Sequence, residues 1–293
     1  MELIDGRKIA GEIKAEIAEQ VKKLIDATDR PPHLAAILVG NDPASETYVA
    51  NKEKACKEVG FDSSVYRLDD AISEKELLDT VEFINNDPDI DGFIVQLPLP
   101  KHINEQNIIK AINPKKDVDG FHPENMGRMT LGLPAYVSAT PNGIIEMIRR
   151  SGIETDGKHC VVVGRSNIVG RPVSILLSRT TTPGNATVTV CHSRTRNLKE
   201  ITSMADILIV AIGKPEFITA DMVKQGAVVI DVGIHRFVST QSASGFRLVG
   251  DVKFDEVSAK ASKITPVPGG VGPMTIVSLL INTLKAATKE VYA

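Results

Sequence analysis

Two periods of apolar residues alternate along the 293 positions of the chain. One is a spacing near 3.6 residues, which marks a single face of a helix, and the other is a set of short β-rich runs. That alternation predicts an α/β protein built on largely parallel sheet. Ile13, Ile17, Val21 and Leu24 mark one face of an opening helix, and LAAILVG at 34–40 reads as the first strand. Asp42 and Pro43 then supply an N-cap and a first helical position, starting a helix through Tyr48, Lys52 and Cys56. A strand around 63–68 follows, then a helix from Ser73 whose Glu76 completes a capping box, then the strand GFIVQL at 92–97. Thr140-Pro141-Asn142-Gly143 repeats the cap-plus-proline signal and opens a helix with Ile144, Ile145 and Ile148 inward, expected to bridge two domains.

A second series of strands begins there: HCVVVG (159–164), ATVTVC (186–191), DILIVAIG (206–213), AVVIDVG (227–233) and a short KITPV near 265. Such runs separated by helical stretches describe a doubly wound nucleotide-binding domain. The last segment, MTIVSLLINTLKAA, reads as an amphipathic helix after a Pro/Gly-rich turn. The expected division is a first α/β domain over 1–139, with the C-terminal helix 274–293 packing back on it, and a dinucleotide-binding Rossmann domain over 140–273.

Composition narrows the partners. A hydrophobic content of 42% over this length suffices for two cores, and a formal net charge of -3 gives no global reason to expect nucleic acid or an anionic membrane. MELIDGRKIAGEIKAEI carries charges throughout, so neither a signal peptide nor an anchor is expected, and no apolar run approaches the roughly 20 residues of a membrane helix. Cys56, Cys160 and Cys191 are far apart and lack the spacing of zinc or redox motifs, which suits a reducing cytoplasm. The six histidines never fall in an HxxxH or HxxH pattern, so no metal is expected.

Candidate chemistry falls in two places. HCVVVG runs into Gly164-Arg165-Ser166-Asn167-Ile168-Val169-Gly170 and then a helical pattern, a glycine turn at a helix N-terminus where phosphate binds. Two glycines alone also occur in strand-to-helix turns without any ligand. The charges say more. An NAD site wants an acidic residue ending the second strand, yet 157–199 contains no Asp or Glu and carries Lys158, Arg165, Arg171, Arg179, Arg194, Arg196 and Lys199. The second strand ends in Cys191-His192-Ser193-Arg194, with hydroxyl and guanidinium donors where a 2′-phosphate would lie, which favours NADP over NAD. The alternative is a solvated basic face.

Tyr48 and Lys52, four residues apart on a predicted helix, share a face. Spacing alone favours a surface lysine beside Lys54 and Lys57. Gln96 is delivered to the carboxyl end of a strand, and Asp119 lies in Lys116-Asp117-Val118-Asp119-Gly120, where it could simply form a turn. Gly269-Gly270-Val271-Gly272, between Pro268 and Pro273, suits close approach of backbone to a ligand.

Together YVANKEKACKEVGF, DGFIVQLPLP, KDVDGFHPENMGRM, VVVGRSNIVGRP, ATVTVCHSRT, VVIDVGIHR, LVGDVKFDEV and ITPVPGGVGPMT resemble, in order and through nearly the whole chain, the bifunctional methylenetetrahydrofolate dehydrogenase/cyclohydrolase family. The resemblance implies an N-terminal catalytic domain, a Rossmann domain, a folate cleft between them, tetrahydrofolate derivatives as substrates and a homodimer. It implies oxidation of 5,10-methylenetetrahydrofolate with NADP and hydrolysis of the methenyl product to 10-formyltetrahydrofolate. The catalytic lysine matches Lys52, its aromatic partner Tyr48, the strand-end glutamine Gln96 and the folate-binding aspartate Asp119. Cofactor positions match Gly164, Arg165, Ser166, Ser193 and Ile234, with Arg194 added by the charge pattern. The Gly272 and Thr275 region is implied to line the cleft, with Thr275 a cofactor contact and Pro268, Gly269 and Gly272 substrate contacts. A lysine near pKa ~10.4 is a poor base at neutral pH, so its surroundings would have to lower it. Another two-domain dehydrogenase would leave PVPGGVGPMT and the Tyr48/Lys52/Gln96 set unexplained, and a nucleotide sensor would be expected to have lost them.

Overall fold

A computed structural model describes residues 1–238 and 245–292. Residues 239–244, inside the expected second domain, and Ala293, at the end of the expected last helix, lie outside them. The chain forms two compact units: Gly11–Ala139 with Ile276–Ala293, and Met1–Ala10 with Thr140–Thr275.

The elements run as follows from the N-terminus: β1 (Glu2–Leu3), α1 (Gly6–Thr28), β2 (His33–Val39), α2 (Pro43–Val59), β3 (Asp62–Leu68), α3 (Glu74–Asn86) and β4 (Gly92–Val95). Strands β2 to β4 make a parallel sheet of order β3-β2-β4. Its central strand is apolar on both faces because both are covered. Phe93 and Val95 of β4 bury with Leu77, Val81 and Ile84 of α3. Local signals act as expected at two helix starts. Asp42 accepts the Ser45 amide (2.8 Å) ahead of Pro43, and Ser73 and Glu76 form both arms of a capping box. Strand β4 stops at Val95, two residues short of the expected end, although the Gln96 amide still donates to Ile37 O (2.9 Å). Two short helices, α4 (Glu105–Ala111) and α5 (Pro123–Leu131), are too brief to show an apolar period in sequence.

The second unit begins with α6 (Ala139–Arg150), β5 (His159–Val163), α7 (Gly170–Ser178), β6 (Thr187–Cys191), α8 (Leu198–Thr202), β7 (Ile207–Val210), β8 (Val228–Asp231), β9 (His235–Val238) and β10 (Phe246–Val249). It ends with α9 (Phe254–Ser258) and β11 (Lys263–Ile264), and the last helix is α10 (Val271–Ala287). A six-stranded, wholly parallel sheet has the order β1-β11-β8-β7-β5-β6. The crossover from β5 leads to β6 on one side, and the next returns to β7 on the other. This puts a topological switch point between the carboxyl ends of β5 and β7, where doubly wound sheets bind ligands.

Several expectations change. The first ten residues belong with the dinucleotide unit, because β1 pairs with β11 and Ile4 N donates to Ile264 O (2.9 Å). A two-residue strand carries no alternation for a sequence pattern to show. Thr140 and Pro141 stand inside the first turn of α6, whose inward face is Ile144, Met147 and Ile148 rather than Ile145. Helix α10 starts at Val271, so Gly272 and Pro273 are helical rather than in a loop. The β9/β10 antiparallel hairpin was not foreseen. Within the other unit, Asn282 of α10 donates to Val118 O (2.8 Å) and Val137 O (2.9 Å).

Candidate active site

On α2, Tyr48 and Lys52 stand one turn apart. Lys52 Nζ donates to Gln96 Oε1 at 3.0 Å, and Gln96 Nε2 donates to Leu97 O at 2.7 Å. The amide of Gln96 is thereby fixed with its oxygen toward the lysine, adding an acceptor without adding charge. Both Lys52 and Asp119 keep some accessible surface, yet their charged ends are set deep among protein atoms. Burial pushes the Lys52 ammonium below the usual lysine range, opposed by the nearby Asp119 carboxylate. Asp119 is pushed up by its own burial, opposed by Lys52. Each is thus the charge that the other feels. Tyr48 is 40% exposed, open to a ligand rather than committed to the core. Cys56, one turn beyond Lys52, is buried with its thiol pushed up to about 12, so it stays a thiol.

The Asp119 loop is held by a residue that spacing does not single out. Asp117 is buried and accepts from the Phe121 amide (3.2 Å), the His122 amide (2.8 Å) and Asn125 Nδ2 (2.9 Å). Burial still pushes its carboxyl up to about 7. Phe93 N donates to Lys116 O (2.9 Å), laying the segment along β4. At Gly120, φ is +71° and a Cβ would sit 2.6 Å from Ser138 N and Tyr136 O, so this turn needs glycine. Two aspartates in KDVDG look alike in sequence; only the fold separates the one that ties the loop from the one it presents.

In the dinucleotide unit the glycine turn sits at the switch point. Gly164 has φ +134°, and a Cβ there would lie 2.2 Å from Ala211 O; one at Gly170 would lie 2.2 Å from Gly164 O. Both glycines are required by the crossing of backbone. Ser166 Oγ accepts the amides of Val169 (3.2 Å) and Gly170 (3.4 Å), closing the turn ahead of α7. Its hydroxyl therefore shapes the turn. Arg165, Ser166, Asn167 and Ile168 are exposed residues whose amides have no partner among the described residues. Gly164 N donates to Cys191 O (2.9 Å), so the loop with Arg165 and the turn with Ser193 and Arg194 leave neighbouring strands at the same end. That turn is tied by Thr195 Oγ1, which accepts His192 N (2.8 Å), and by His192 Nδ1, which accepts Arg194 N (3.1 Å). Arg165 and Arg194 are exposed and have no ion-pair partner among the described residues.

Ile234, beyond β8, is 49% exposed. The Thr275 hydroxyl is bonded to that of Thr140 (3.0 Å). Gly269 (φ +109°) offers its carbonyl to Arg7 N (3.1 Å), while a Cβ at Gly6 would lie 1.9 Å from Gly270 O. A Cβ at Gly270 would lie 2.6 Å from Pro266 O, so the chain's own packing accounts for both Gly6 and Gly270. Pro268 and Gly272 are exposed, and a Cβ at Gly272 would meet nothing within 4 Å. Of the expected substrate contacts, Tyr48, Lys52, Gln96 and Asp119 are in one unit, and Pro268, Gly269 and Gly272 in the other. Two further buried carboxylates, Asp231 and Asp251, went unremarked in the sequence; their signal is an aspartate ending an apolar run beside glycine, in VVIDVG and LVGDV. Among the described residues no group of three or more His, Cys, Asp or Glu could hold a metal ion, and no helix is long and apolar enough to cross a membrane.

A glycine turn at a topological switch point beside exposed arginines, and a desolvated lysine held by glutamine, suit one class: a dinucleotide-linked dehydrogenase with a second polar centre. The comparisons with known proteins specify it. Residues 4–119 match the tetrahydrofolate dehydrogenase/cyclohydrolase catalytic domain, and residues 138–291 match the NAD(P)-binding domain of the same family. The chain is 63% identical over 290 residues to the bifunctional protein FolD of Porphyromonas gingivalis, covering 99% of this chain and 98% of that one. The crystal structure of the bifunctional FolD dehydrogenase/cyclohydrolase of Campylobacter jejuni is similar at TM-score 0.92 and 46% identity, covering 99% of each chain. A Trypanosoma brucei dehydrogenase-cyclohydrolase, solved with NADP and an inhibitor, matches at TM-score 0.93 and 39% identity over 99% of this chain and 98% of that one. The chain belongs to the tetrahydrofolate dehydrogenase/cyclohydrolase family.

Proposed function

We propose that the chain oxidises 5,10-methylenetetrahydrofolate to the methenyl form with NADP and then hydrolyses it to 10-formyltetrahydrofolate, with Lys52 as the group that moves protons. The observation that carries this is the hydrogen bond from Lys52 Nζ to Gln96 Oε1 (3.0 Å) on a lysine lowered by burial. NADP, when bound, accepts the hydride from the methylene carbon of the folate. The residues fit it: the free amides at 165–168 suit a pyrophosphate, and Arg165, Ser193 and Arg194 suit a 2′-phosphate in a stretch without acids. Ile234 and Thr275 complete the cofactor set.

Hydrolysis adds water to the methenyl carbon. The water oxygen bonds to carbon; as the carbon–nitrogen bond to N5 breaks to leave the formyl group on N10, the remaining hydroxyl proton is lost to bulk water, while the proton shed in the attack goes to base. A neutral Lys52 amine takes that proton, and the resulting ammonium can return one to the departing nitrogen. Gln96 keeps the amine aimed through both states because its oxygen accepts from either. Asp119 accepts from the amino and ring N–H groups of the pterin edge, and Tyr48 orders the substrate against the lysine. The family resemblance supports Pro268, Gly269 and Gly272 as further substrate positions. The three cysteines are buried free thiols, which supports work in the cytoplasm, and the family resemblance supports a homodimer.

The test is to mix purified protein with 5,10-methylenetetrahydrofolate and NADP, following reduced cofactor and quantifying methenyl and 10-formyl products separately. Reduced cofactor with 10-formyl product is expected. Stalled methenyl product would remove the hydrolase, and no reduction with NADP or NAD would remove the dehydrogenase.

A further inference from the structure

Two buried carboxylates knit the carboxyl end of the dinucleotide sheet. Asp251 is fully buried. Its Oδ2 accepts the backbone amides of Ile212 (2.7 Å) and Gly213 (3.0 Å), and its Oδ1 accepts from His235 Nε2 (2.7 Å). Asp231 in turn accepts the amides of Gly233, Asp251 and Val252, each at 2.9 Å. Glycines make room for the pair. A Cβ at Gly250 would fall 1.8 Å from Asp231 Oδ2, and one at Gly233 would fall 2.5 Å from Asp251 Oδ1.

Neither carboxylate is required by the sheet itself, whose strands β7 and β8 are paired along their lengths. Burying charge here is costly, and an apolar strand end would be cheaper unless the carboxylates organise something. What they organise is specific. Ile212 and Gly213 follow Ala211, whose carbonyl crosses Gly164 at the switch point. His235 directly follows Ile234, the half-exposed residue assigned to the cofactor. One carboxylate therefore joins the loop leaving β7 to the loop leaving β8.

We propose that Asp251 and His235 are positioning residues for the dehydrogenase half of the reaction, clamping the Ile212–Gly213 loop and Ile234 in the conformation that receives the dinucleotide. The clamp rests on the reading that this unit holds NADP. His235 lies in the opposite unit from Lys52, so hydrolysis does not depend on it.

The test compares His235→Ala with His235→Gln, which keeps a side-chain N–H donor. Three quantities are read: amide hydrogen exchange at residues 211–213 without any ligand, NADP affinity by calorimetry, and hydrolysis of methenyltetrahydrofolate supplied directly without NADP. His235→Ala should speed exchange in the loop and weaken NADP binding roughly ten-fold, the loss expected of one charge-assisted hydrogen bond. Hydrolysis should stay within about two-fold, inside the usual scatter of a change without contact. His235→Gln should recover most of the loss. Unchanged exchange and affinity in His235→Ala would overturn the clamp alone, as would hydrolysis falling in step with affinity, which marks a merely structural role. Unaltered protein that binds no NADP would overturn the cofactor reading and the clamp with it.

Discussion

The two units handle charge in opposite ways. In the folate unit, Lys52 and Asp119 are sunk among protein atoms, each shifted by burial and each opposed by the other. In the dinucleotide unit, Arg165 and Arg194 stand exposed on tight turns held by hydrogen bonds to the side chains of Ser166, His192 and Thr195. On the proposed function the difference follows from two tasks. A proton-transfer group must change charge near neutrality, so its surroundings must shift it. A phosphate-reading group must never change charge, and needs only to be held in place and left unpaired. Exposure is therefore no mark against the arginines, and burial is what qualifies the lysine.

The largest way to break the comparison is Lys52→Met. Formation of 10-formyl product should fall by about 10²–10⁴-fold, the range of a lost general base, with NADP affinity unchanged. Unaltered formyl production would remove Lys52 from the mechanism. Next in size, Arg165→Ala with Arg194→Ala should raise the Michaelis constant for NADP about 10²-fold, two charge-assisted hydrogen bonds being lost, and change that for NAD little. Steady-state kinetics with each cofactor decides it; equal effects on both would make the arginines a solvated basic face.

A smaller effect carries a sign. The Asp119 carboxylate holds the Lys52 ammonium up against the burial that lowers it. Asp119→Asn removes that support, so the lysine becomes neutral at lower pH. The rise of hydrolysis with pH should then move toward acid, while the Michaelis constant for the folate rises roughly ten-fold through the lost pterin acceptor. The pH profile of kcat/KM for methenyltetrahydrofolate reads both. A limb displaced toward alkali would show that the two groups are not partners.

How much of this was legible depended on how local the cause was. Asp42 before Pro43, Ser73 with Glu76 and the apolar run at 34–39 act within a few residues, and the structure has the elements they predict. Spacing could name Lys52 and Gln96 but not join them, since a bond across 44 positions needs α2 and the end of β4 brought together; the pairing was expected only through the resemblance. The membership of β1 was illegible because its two residues are ordered by Lys263 and Ile264 far along the chain. Asp117, Asp231 and Asp251 were illegible for a related reason. A carboxylate that accepts backbone amides looks in sequence much like a turn aspartate; Asp231 and Asp251 differ only in ending an apolar run beside glycine, and burial is what separates them. The resemblance carried the residue roles that spacing left open between catalyst and surface.

The smallest effects separate the two helix starts. Asp42 caps α2, accepting Ser45 N at 2.8 Å, and so sets the helix that carries Tyr48 and Lys52. Ser166 closes the turn before α7 through two longer bonds, 3.2 and 3.4 Å, and the same turn carries the amides assigned to the pyrophosphate. Asp42→Ala should lower stability, as loss of an N-cap side chain does, and leave NADP affinity alone. Ser166→Ala loses weaker bonds, so it should cost stability less than Asp42→Ala does. It should nonetheless weaken NADP binding a few-fold, roughly one hydrogen bond's net worth, because the loosened turn is itself the receiving surface. Denaturant unfolding and NADP titration on the two variants measure both quantities. If Asp42→Ala weakens NADP as much as Ser166→Ala does, the helix caps are not acting locally, and the division of labour between buried and exposed charge loses its structural footing.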